Sequence, residues 1–215
     1  MGTLLLILEL IGTVAFAASG AMTAVDKDMD VFGICILGLT TAVGGGVIRD
    51  LILGVTPPKT FQIPVYACIA IGTSLLIFAV IRLGRFARLR AVYDRILLVM
   101  DSLGLGAFTV AGVGVAFEQA QDPSAFLLIF VGVITGVGGG VLRDVLAGNT
   151  PYIFVRHVYA CASLLGAVVC EALWSRAGDS WAMLAGLAAV IVLRFLSAHF
   201  KWNLPKARRP QEQDV

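Results

Sequence analysis

The chain has 215 residues, of which 59% are hydrophobic and 14% are charged, and its formal net charge is +2. A water-soluble domain usually carries about a quarter charged residues, so this composition excludes an ordinary soluble protein. The balance, with a mean hydropathy of +0.92, is that of a protein that crosses a membrane several times.

Seven stretches of the sequence are apolar over about 20 residues, the length that a helix needs to cross about 30 Å of hydrocarbon. They span residues 3–21, 31–54, 63–83, 96–116, 124–147, 155–175 and 180–200. The first is expected to be a transmembrane helix rather than a signal peptide, because it lacks a basic start, contains Glu9 and precedes further spans. The sequence therefore predicts an all-α membrane protein with seven transmembrane helices.

Three blocks of the sequence occur twice, 92 to 94 residues apart. The matching blocks are AVGGGVIRDLILGVTP (42–57) with GVGGGVLRDVLAGNTP (136–151), VYAC (65–68) with VYAC (158–161), and ELIGTVAFAASG (9–20) with DSLGLGAFTVAG (101–112). We therefore expect two three-helix repeats at 1–90 and 91–177, a seventh helix at 178–200 and a cytoplasmic tail at 201–215. Because three is odd, the second repeat must insert upside down relative to the first. Inverted repeats are typical of channels and secondary transporters, with the site near the membrane midplane at the repeat interface.

Basic residues are distributed unevenly between the predicted loops, and the side of the membrane that carries more of them is expected to be cytoplasmic. This predicts an inner-membrane protein with its N-terminus outside and its C-terminus in the cytoplasm. The richer side carries Lys27, Arg82, Arg85, Arg88, Arg90, Arg95, Arg156, Lys201, Lys206, Arg208 and Arg209, and the poorer side carries Lys59 and Arg176. The basic segment 82–95 is also a candidate site for anionic lipid, and ordinary positive-inside bias explains it equally well.

Each repeat places three consecutive glycines inside a span. They are Gly44, Gly45 and Gly46 in the second span, and Gly138, Gly139 and Gly140 in the fifth. Each glycine costs a helix interior about 1 kcal/mol relative to alanine, so both spans are predicted to kink or break there. Backbone groups freed at membrane depth are tolerated only inside protein or along a water-filled cavity, which favours a permeation path. The alternative is close helix packing, for which Gly132, Gly136 and Gly140 have the typical spacing.

An arginine follows each triplet, at Arg49 and Arg143. Ionisable residues inside spans are costly and usually face the protein interior or water. The repeat supplies an acidic residue at matching depth for each, so we predict the pairs Glu9–Arg49 and Asp101–Arg143. The alternative is that both arginines extend to the lipid headgroups.

Asp50 and Asp144 are each adjacent to an arginine and are expected to point elsewhere, toward an aqueous path. The predicted path is therefore lined by both glycine triplets and both Arg-Asp pairs. No cofactor or tightly bound metal is expected, because the four cysteines lie in apolar runs without a CxxC motif and the two histidines are far apart. The sequence contains no HExxH, GxSxG or convincing nucleophile–base pair. We therefore expect neither an enzyme nor a nucleic-acid-binding protein.

The two Gly-Gly-Gly-x-x-Arg-Asp segments, the seven spans and the odd repeat resemble the bacterial branch of the trimeric intracellular cation (TRIC) channels. That branch is also described as carrying paired glycine-transporter domains. The resemblance covers about residues 3–200. It implies a homotrimer with a pore in each protomer, helices two and five bent at the triplets, and potassium and sodium as permeant ions. Animal members carry a lipid-linked Lys-Glu pair in this region, where this chain has Arg-Asp.

Two functions remain open at this point. In a passive monovalent-cation channel, freed carbonyls with Asp50 and Asp144 would offset the dehydration of the ion. In a secondary transporter of glycine or a similar small neutral amino acid, each broken helix would offer carbonyls to the ammonium and amides to the carboxylate. The sequence suits both functions, and the resemblance places the channel first. A purely structural membrane protein would not explain the repeated triplets.

Overall fold

The computed structural model describes residues 2–85, 93–155 and 158–202. Within these ranges seven helices are long and apolar enough to cross a membrane, which confirms the predicted fold class of a multi-pass all-α membrane protein. The helices are α1 (Thr3–Asp26), α2 (Val31–Ile52), α3 (Lys59–Gln62), α4 (Val65–Val80), α5 (Tyr93–Gln119), α6 (Ala125–Leu146), α7 (Tyr152–Val155), α8 (Tyr159–Ala177) and α9 (Asp179–His199). A π-helical turn at Ile81–Arg85 extends α4.

Several basic residues that were used to predict the orientation lie outside the described residues. They are Arg88, Arg90, Arg156, Lys206, Arg208 and Arg209, together with half of the proposed lipid site at 82–95. Of that segment, the described Arg82 guanidinium lies 5.9 Å from the centre of the Phe78 ring.

Two helices, α2 and α6, begin and end in the same way. The side chain of Asp30 accepts a hydrogen bond from the backbone at the start of α2, and Ser124 does the same for α6. At the C-terminal ends, Gly54 and Gly148 have φ angles of +72° and +67°. These left-handed residues allow the backbone amides that follow to bond back to the last turn, the arrangement that terminates many helices. Each Arg-Asp pair therefore lies in the last turn of a helix that stops at a fixed place.

The centre of the protein is formed by α1 and α5, which pack against each other. In each of these two helices, 67% of the most apolar 18-residue stretch is buried, compared with 11% in α4, 28% in α8 and 33% in α9. The helices α2 and α6 flank this pair and also pack against each other, while α9 packs against α8 and α5. The polar residues of α1 and α5 are consequently enclosed by protein on most sides.

The glycine triplets lie where α2 and α6 cross. A Cβ atom added at Gly45 would overlap the backbone oxygen of Thr135, and one added at Gly139 would overlap the backbone oxygen of Thr41. A Cβ at Gly138 would lie 3.2 Å from the Cα of Gly45. Only residues without a side chain permit two helix backbones to approach this closely, as in small-residue helix contacts in membranes.

The helices α2 and α6 are each continuous α-helix through the triplet. The expectation that a break frees carbonyls at Gly44–Gly46 and Gly138–Gly140 is therefore not met. A helix–helix contact at both sites explains the glycines without a break, as the packing alternative proposed. A bend without interruption stays a prediction.

Candidate functional site

The first cluster consists of Glu9 on α1, Arg49 and Asp50 on α2, and Tyr66 on α4. The Nη1 of Arg49 donates to Glu9 Oε1 at 2.9 Å, and its Nε donates to Asp50 Oδ1 at 2.9 Å. The hydroxyl of Tyr66 donates to Glu9 Oε2 at 2.8 Å. One guanidinium thus bridges two carboxylates, and a neutral hydroxyl binds the remaining oxygen of Glu9.

The second cluster includes Asp101 on α5, Arg143 and Asp144 on α6, and Tyr159 on α8. The Nη1 of Arg143 donates to Asp101 Oδ1 at 2.6 Å, and its Nε donates to Asp144 Oδ1 at 2.9 Å. The hydroxyl of Tyr159 donates to Asp101 Oδ1 at 3.4 Å. The same Nη1 of Arg143 also donates to the Ser19 hydroxyl of α1 at 2.5 Å.

The structure brings together both acid–arginine pairs that the sequence predicted. Arg49 is 4% exposed and Arg143 is fully buried, so neither guanidinium extends to the surface of the protomer. The alternative in which the arginines reach lipid headgroups is therefore wrong for both. Removing one partner of such a buried pair leaves an uncompensated charge, which typically destabilises a protein by about 3–5 kcal/mol.

Asp50 and Asp144 correct the sequence prediction, because neither faces an open path. They are 0% and 1% exposed. Beyond the contact with its arginine, each aspartate accepts a backbone hydrogen bond from a short helix. The donor to Asp50 Oδ2 is the amide of Lys59 at the start of α3, at 2.8 Å, and the donor to Asp144 Oδ2 is the amide of Tyr152 at the start of α7, at 2.9 Å.

These aspartates satisfy amides that have no partner within their short helices. Adjacent residues on a helix are expected to point apart, but an arginine side chain is long enough to fold back onto its neighbour. Each aspartate therefore ties the end of a long helix to the following short helix.

Arg194 on α9 is a member of the second cluster that the sequence reasoning missed. Its Nη2 donates to Asp101 Oδ2 at 3.4 Å and its Nε donates to Ser102 Oγ at 3.3 Å. The guanidinium also lies 4.8 Å from the centre of the Tyr159 ring, within the range of a cation–π contact. A basic residue inside the seventh apolar run was the available signal, since such residues usually mark functional sites.

The two tyrosines were also missed, although the repeated VYAC block contains both. Tyr66 and Tyr159 occupy matching positions in the two copies, and each binds the central carboxylate of its cluster. A repeated polar residue in an apolar span was the signal, because buried hydroxyls need hydrogen-bond partners.

Each cluster forms part of the wall of a cleft. The first cleft has about 450 Å³ of space, including the part open to solvent, and its lining includes Glu9, Thr13, Gly46, Thr60 and Tyr66. The second has about 260 Å³ and is lined by Asp94, Leu97, Leu98, Asp101, Tyr152 and Arg194. The two clefts have no lining residue in common.

Two phenylalanines pack together beside the first cleft. Phe108 lines the first cleft and packs on the fully buried Phe16, with ring centres 5.3 Å apart. Phe16 in turn lies against the α2–α6 crossing, where a Cβ at Gly139 would be 2.9 Å from its ring. The ring pair therefore extends from the wall of the first cleft to the α2–α6 crossing.

No group of three or more metal-binding side chains is found in the described part of the chain. All four cysteines are free thiols. The polar chemistry of the site accordingly comes from carboxylates, guanidiniums and hydroxyls.

Comparison with known proteins assigns the chain to a family. Residues 6–82 and 98–175 each match the family model described as Glycine transporter. The chain belongs to this family. The two matched segments of the glycine-transporter family member fall within the two predicted repeats.

Relatives of this family member are named as membrane proteins in several bacteria. The UPF0126 membrane protein of Deinococcus radiodurans is 37% identical over 206 residues, which cover 95% of this chain and 92% of that protein. The UPF0126 inner membrane protein YadS of Escherichia coli K12 is 35% identical over 197 residues, covering 92% of each chain. The likeness therefore extends over nearly the whole length of both relatives.

Solved structures of TRIC channels have the same fold as this glycine-transporter family member. The TRIC trimeric intracellular cation channel orthologue from Rhodobacter sphaeroides matches with a TM-score of 0.84 and 35% identity, covering 94% of this chain and all of that one. A prokaryotic TRIC channel in 0.5 M KCl matches with a TM-score of 0.85 and 28% identity over 95% of this chain. These neighbours are channels rather than enzymes.

Proposed function

We propose that the protein is a membrane cation channel that conducts potassium and sodium. The observation that carries the proposal is the near-complete match, in fold and at 35–36% identity, to proteins described as TRIC cation channels. The match includes all seven spans, because it covers 94–95% of the chain. By the same likeness, the working form is a homotrimer with one path in each protomer.

The path runs from the first cleft to the second, beside the crossing of α2 and α6. In the first cleft an ion meets the Glu9 carboxylate and the hydroxyls of Thr13, Thr60 and Tyr66. Hard oxygen ligands of this kind replace water around alkali cations. On this proposal the path is closed where Phe16 packs on Phe108, with ring centres 5.3 Å apart, and conduction requires the two rings to move apart.

The charges of the site favour monovalent over divalent ions. Each arginine contacts both carboxylates of its cluster, so at most one formal negative charge remains in each cluster. Calcium sites usually need six to eight oxygen ligands with several carboxylates. A carboxylate whose charge is partly offset by an arginine, together with hydroxyls, suits an ion that must also leave quickly.

The proposal includes the predicted membrane arrangement. The N-terminus lies outside, the C-terminus lies in the cytoplasm, and the repeats at 1–90 and 91–177 are inverted relative to each other. The first cluster then belongs to the outer half of the membrane and the second to the inner half. A reporter fused after Val215 should be cytoplasmic and one in the 118–123 loop should be external. Two reporters on the same side would contradict the inversion.

Transport of glycine is the second candidate, and two observations favour it. The family model carries that description, and the first cleft offers both a carboxylate and a guanidinium to a zwitterion. Against it, Glu9 and Arg49 already bind each other at 2.9 Å, so a zwitterion would have to separate them.

One purified sample tests both functions. Planar bilayer recordings in a potassium chloride gradient should give a reversal potential near the potassium equilibrium potential, and replacing potassium by sodium should preserve the current. Proteoliposomes of the same sample should take up no more labelled glycine than protein-free liposomes. Saturable glycine uptake without cation current would overturn the channel and support the transporter.

A further inference from the structure

The two central carboxylates differ in what their second oxygen contacts. Glu9 Oε2 accepts a hydrogen bond from the neutral hydroxyl of Tyr66 at 2.8 Å. Asp101 Oδ2 lies 3.4 Å from Nη2 of Arg194, a permanent cation. One guanidinium therefore balances Glu9, whereas two guanidiniums contact Asp101.

The buried charges of the two clusters consequently sum differently. The first cluster has two carboxylates and one guanidinium, for a formal charge of −1. Its members are Glu9, Asp50 and Arg49. The second has two carboxylates and two guanidiniums, for a formal charge of zero. Its members are Asp101, Asp144, Arg143 and Arg194.

Two further charged residues line the clefts. The partly exposed Lys59 lines the first cleft, and the exposed Asp94 lines the second. Lys59 adds a positive charge to the first cleft and Asp94 adds a negative charge to the second, so both oppose the charge difference between the two buried clusters. Salt screens solvent-exposed charges much more than buried ones, so the buried charges dominate the local field at ordinary ionic strength.

Arg194 is held firmly in place at the wall of the second cleft. The hydroxyl of Ser102 accepts a hydrogen bond from its Nε, and the Tyr159 ring lies under its guanidinium. The Arg194 side chain is 4% exposed. An arginine stays charged at all relevant pH values. A cation that enters the second cleft therefore meets Arg194 beside Asp101, and Arg143 already binds that carboxylate. A cation in the first cleft meets Glu9, hydroxyls and Arg49, whose single charge is shared between Glu9 and Asp50.

We propose that Arg194 makes ion passage asymmetric, by preventing cations from collecting at Asp101 while they collect at Glu9. The inference rests on the proposed cation-channel function, which supplies the path along which the two clefts differ. Arg194 lies on α9, which is outside the repeat, so the first cluster has no residue that matches it. Removing one such charge should raise cation occupancy of the second cleft on the order of tenfold.

The test uses the full-length protein in planar bilayers at a constant ionic strength of about 0.15 M, which screens the exposed charges of Lys59 and Asp94, with its orientation established by protease accessibility. Currents at equal and opposite voltages give a rectification ratio, and a potassium titration on each side gives a half-saturating concentration for each cleft. The wild type should rectify. In Arg194→Gln the ratio should move toward one, and the half-saturating concentration on the second-cleft side should fall on the order of tenfold.

Two further variants serve as controls. Arg194→Lys keeps the charge and should keep the wild-type ratio. Arg95→Gln removes one exposed charge near the second cleft, at the start of α5, and should leave the ratio near that of the wild type. Raising the salt concentration should affect Arg95→Gln and the wild type alike.

Arg194→Gln should still fold, because Asp101 keeps its 2.6 Å bond to Arg143. If it does not assemble, the double variant Asp101→Asn/Arg194→Gln restores the formal charge of the cluster and should rectify like the wild type. Symmetric current in that double variant would overturn the inference, as would symmetric current in the wild type. Identical rectification ratios in Arg194→Gln and Arg95→Gln would also overturn the inference. In each of these cases, cation current in the wild type would leave the proposed channel function standing. Absence of any cation current from the wild type would instead mean that the proposed function has failed.

Discussion

The first and second clusters are built from matching residues, yet only the second receives a guanidinium from outside the repeat. In both, an arginine at the end of a long helix binds an acid on a central helix and the aspartate beside it. In both, that aspartate binds the first amide of a short helix. Arg194 then adds a second cation to Asp101, whereas Glu9 binds a tyrosine hydroxyl. A duplicated segment thus reproduces the contacts within itself, and an added helix is free to make the two halves unequal.

The largest expected effect comes from neutralising the central acids. Asp101→Asn leaves Arg194 without a carboxylate partner and should lower the free energy of unfolding by about 3–5 kcal/mol. Glu9→Gln should lower it less, because Arg49 keeps its 2.9 Å contact with Asp50. Chemical unfolding in detergent, followed by tryptophan fluorescence, measures both losses.

Double variants sharpen this prediction. Asp101→Asn/Arg143→Gln should be less destabilised than the sum of its single changes, since removing both charges strands fewer of them. The same ordering should hold for Glu9 and Arg49. Equal losses in Glu9→Gln and Asp101→Asn would show that Arg194 adds no stability to the second cluster.

The aspartates that bind the short helices should give the next largest effect. Asp50→Asn and Asp144→Asn weaken charge-assisted hydrogen bonds and should each cost about 1.5–3 kcal/mol. Amide hydrogen exchange should accelerate locally, at 59–63 in the first variant and at 152–155 in the second. Asp30→Asn is the matched control, because asparagine caps a helix about as well as aspartate. Unchanged exchange at both short helices would contradict the assignment.

The helix crossing should respond equally from both sides. Gly45→Ala and Gly139→Ala each force a Cβ against a backbone oxygen, and such overpacking should destabilise by about 1–3 kcal/mol. Gly72→Ala is the control, since a Cβ there meets nothing within 4 Å and alanine favours a helix by about 1 kcal/mol. Thermal unfolding of the three variants gives the comparison. Little loss in Gly45→Ala and Gly139→Ala would mean that the helices are less closely packed.

The smallest effect should come from the tyrosines. Tyr66→Phe removes a 2.8 Å hydrogen bond to Glu9 and should cost about 1 kcal/mol. Tyr159→Phe removes a longer bond of 3.4 Å and keeps the ring beneath Arg194, so it should cost less. The difference is measurable by the same unfolding assay. A larger loss in Tyr159→Phe would reverse the comparison between the clusters.

Much of this architecture could be predicted from the sequence because hydrophobic length and repetition are local properties of the chain. Seven apolar runs give seven spans, since backbone groups in a membrane must bond within a helix. The pairs Glu9–Arg49 and Asp101–Arg143 were also predictable, because two buried charges of opposite sign at matching depth have strong reason to meet.

What the sequence could not decide depends on how the helices pack. Composition alone allowed Gly45 and Gly139 either to break their helices or to let them cross, and only the close approach of α2 to α6 distinguishes the two. Asp50 was expected to face water, but the backbone of α3 returns to satisfy it. The contact of Arg194 with Asp101 joins residues 93 positions apart, and Arg194 lies on α9, a helix that has no copy in the repeat. Such a contact follows from the docking of α9 on α5, where low-dielectric surroundings make a buried cation bind the nearest carboxylate.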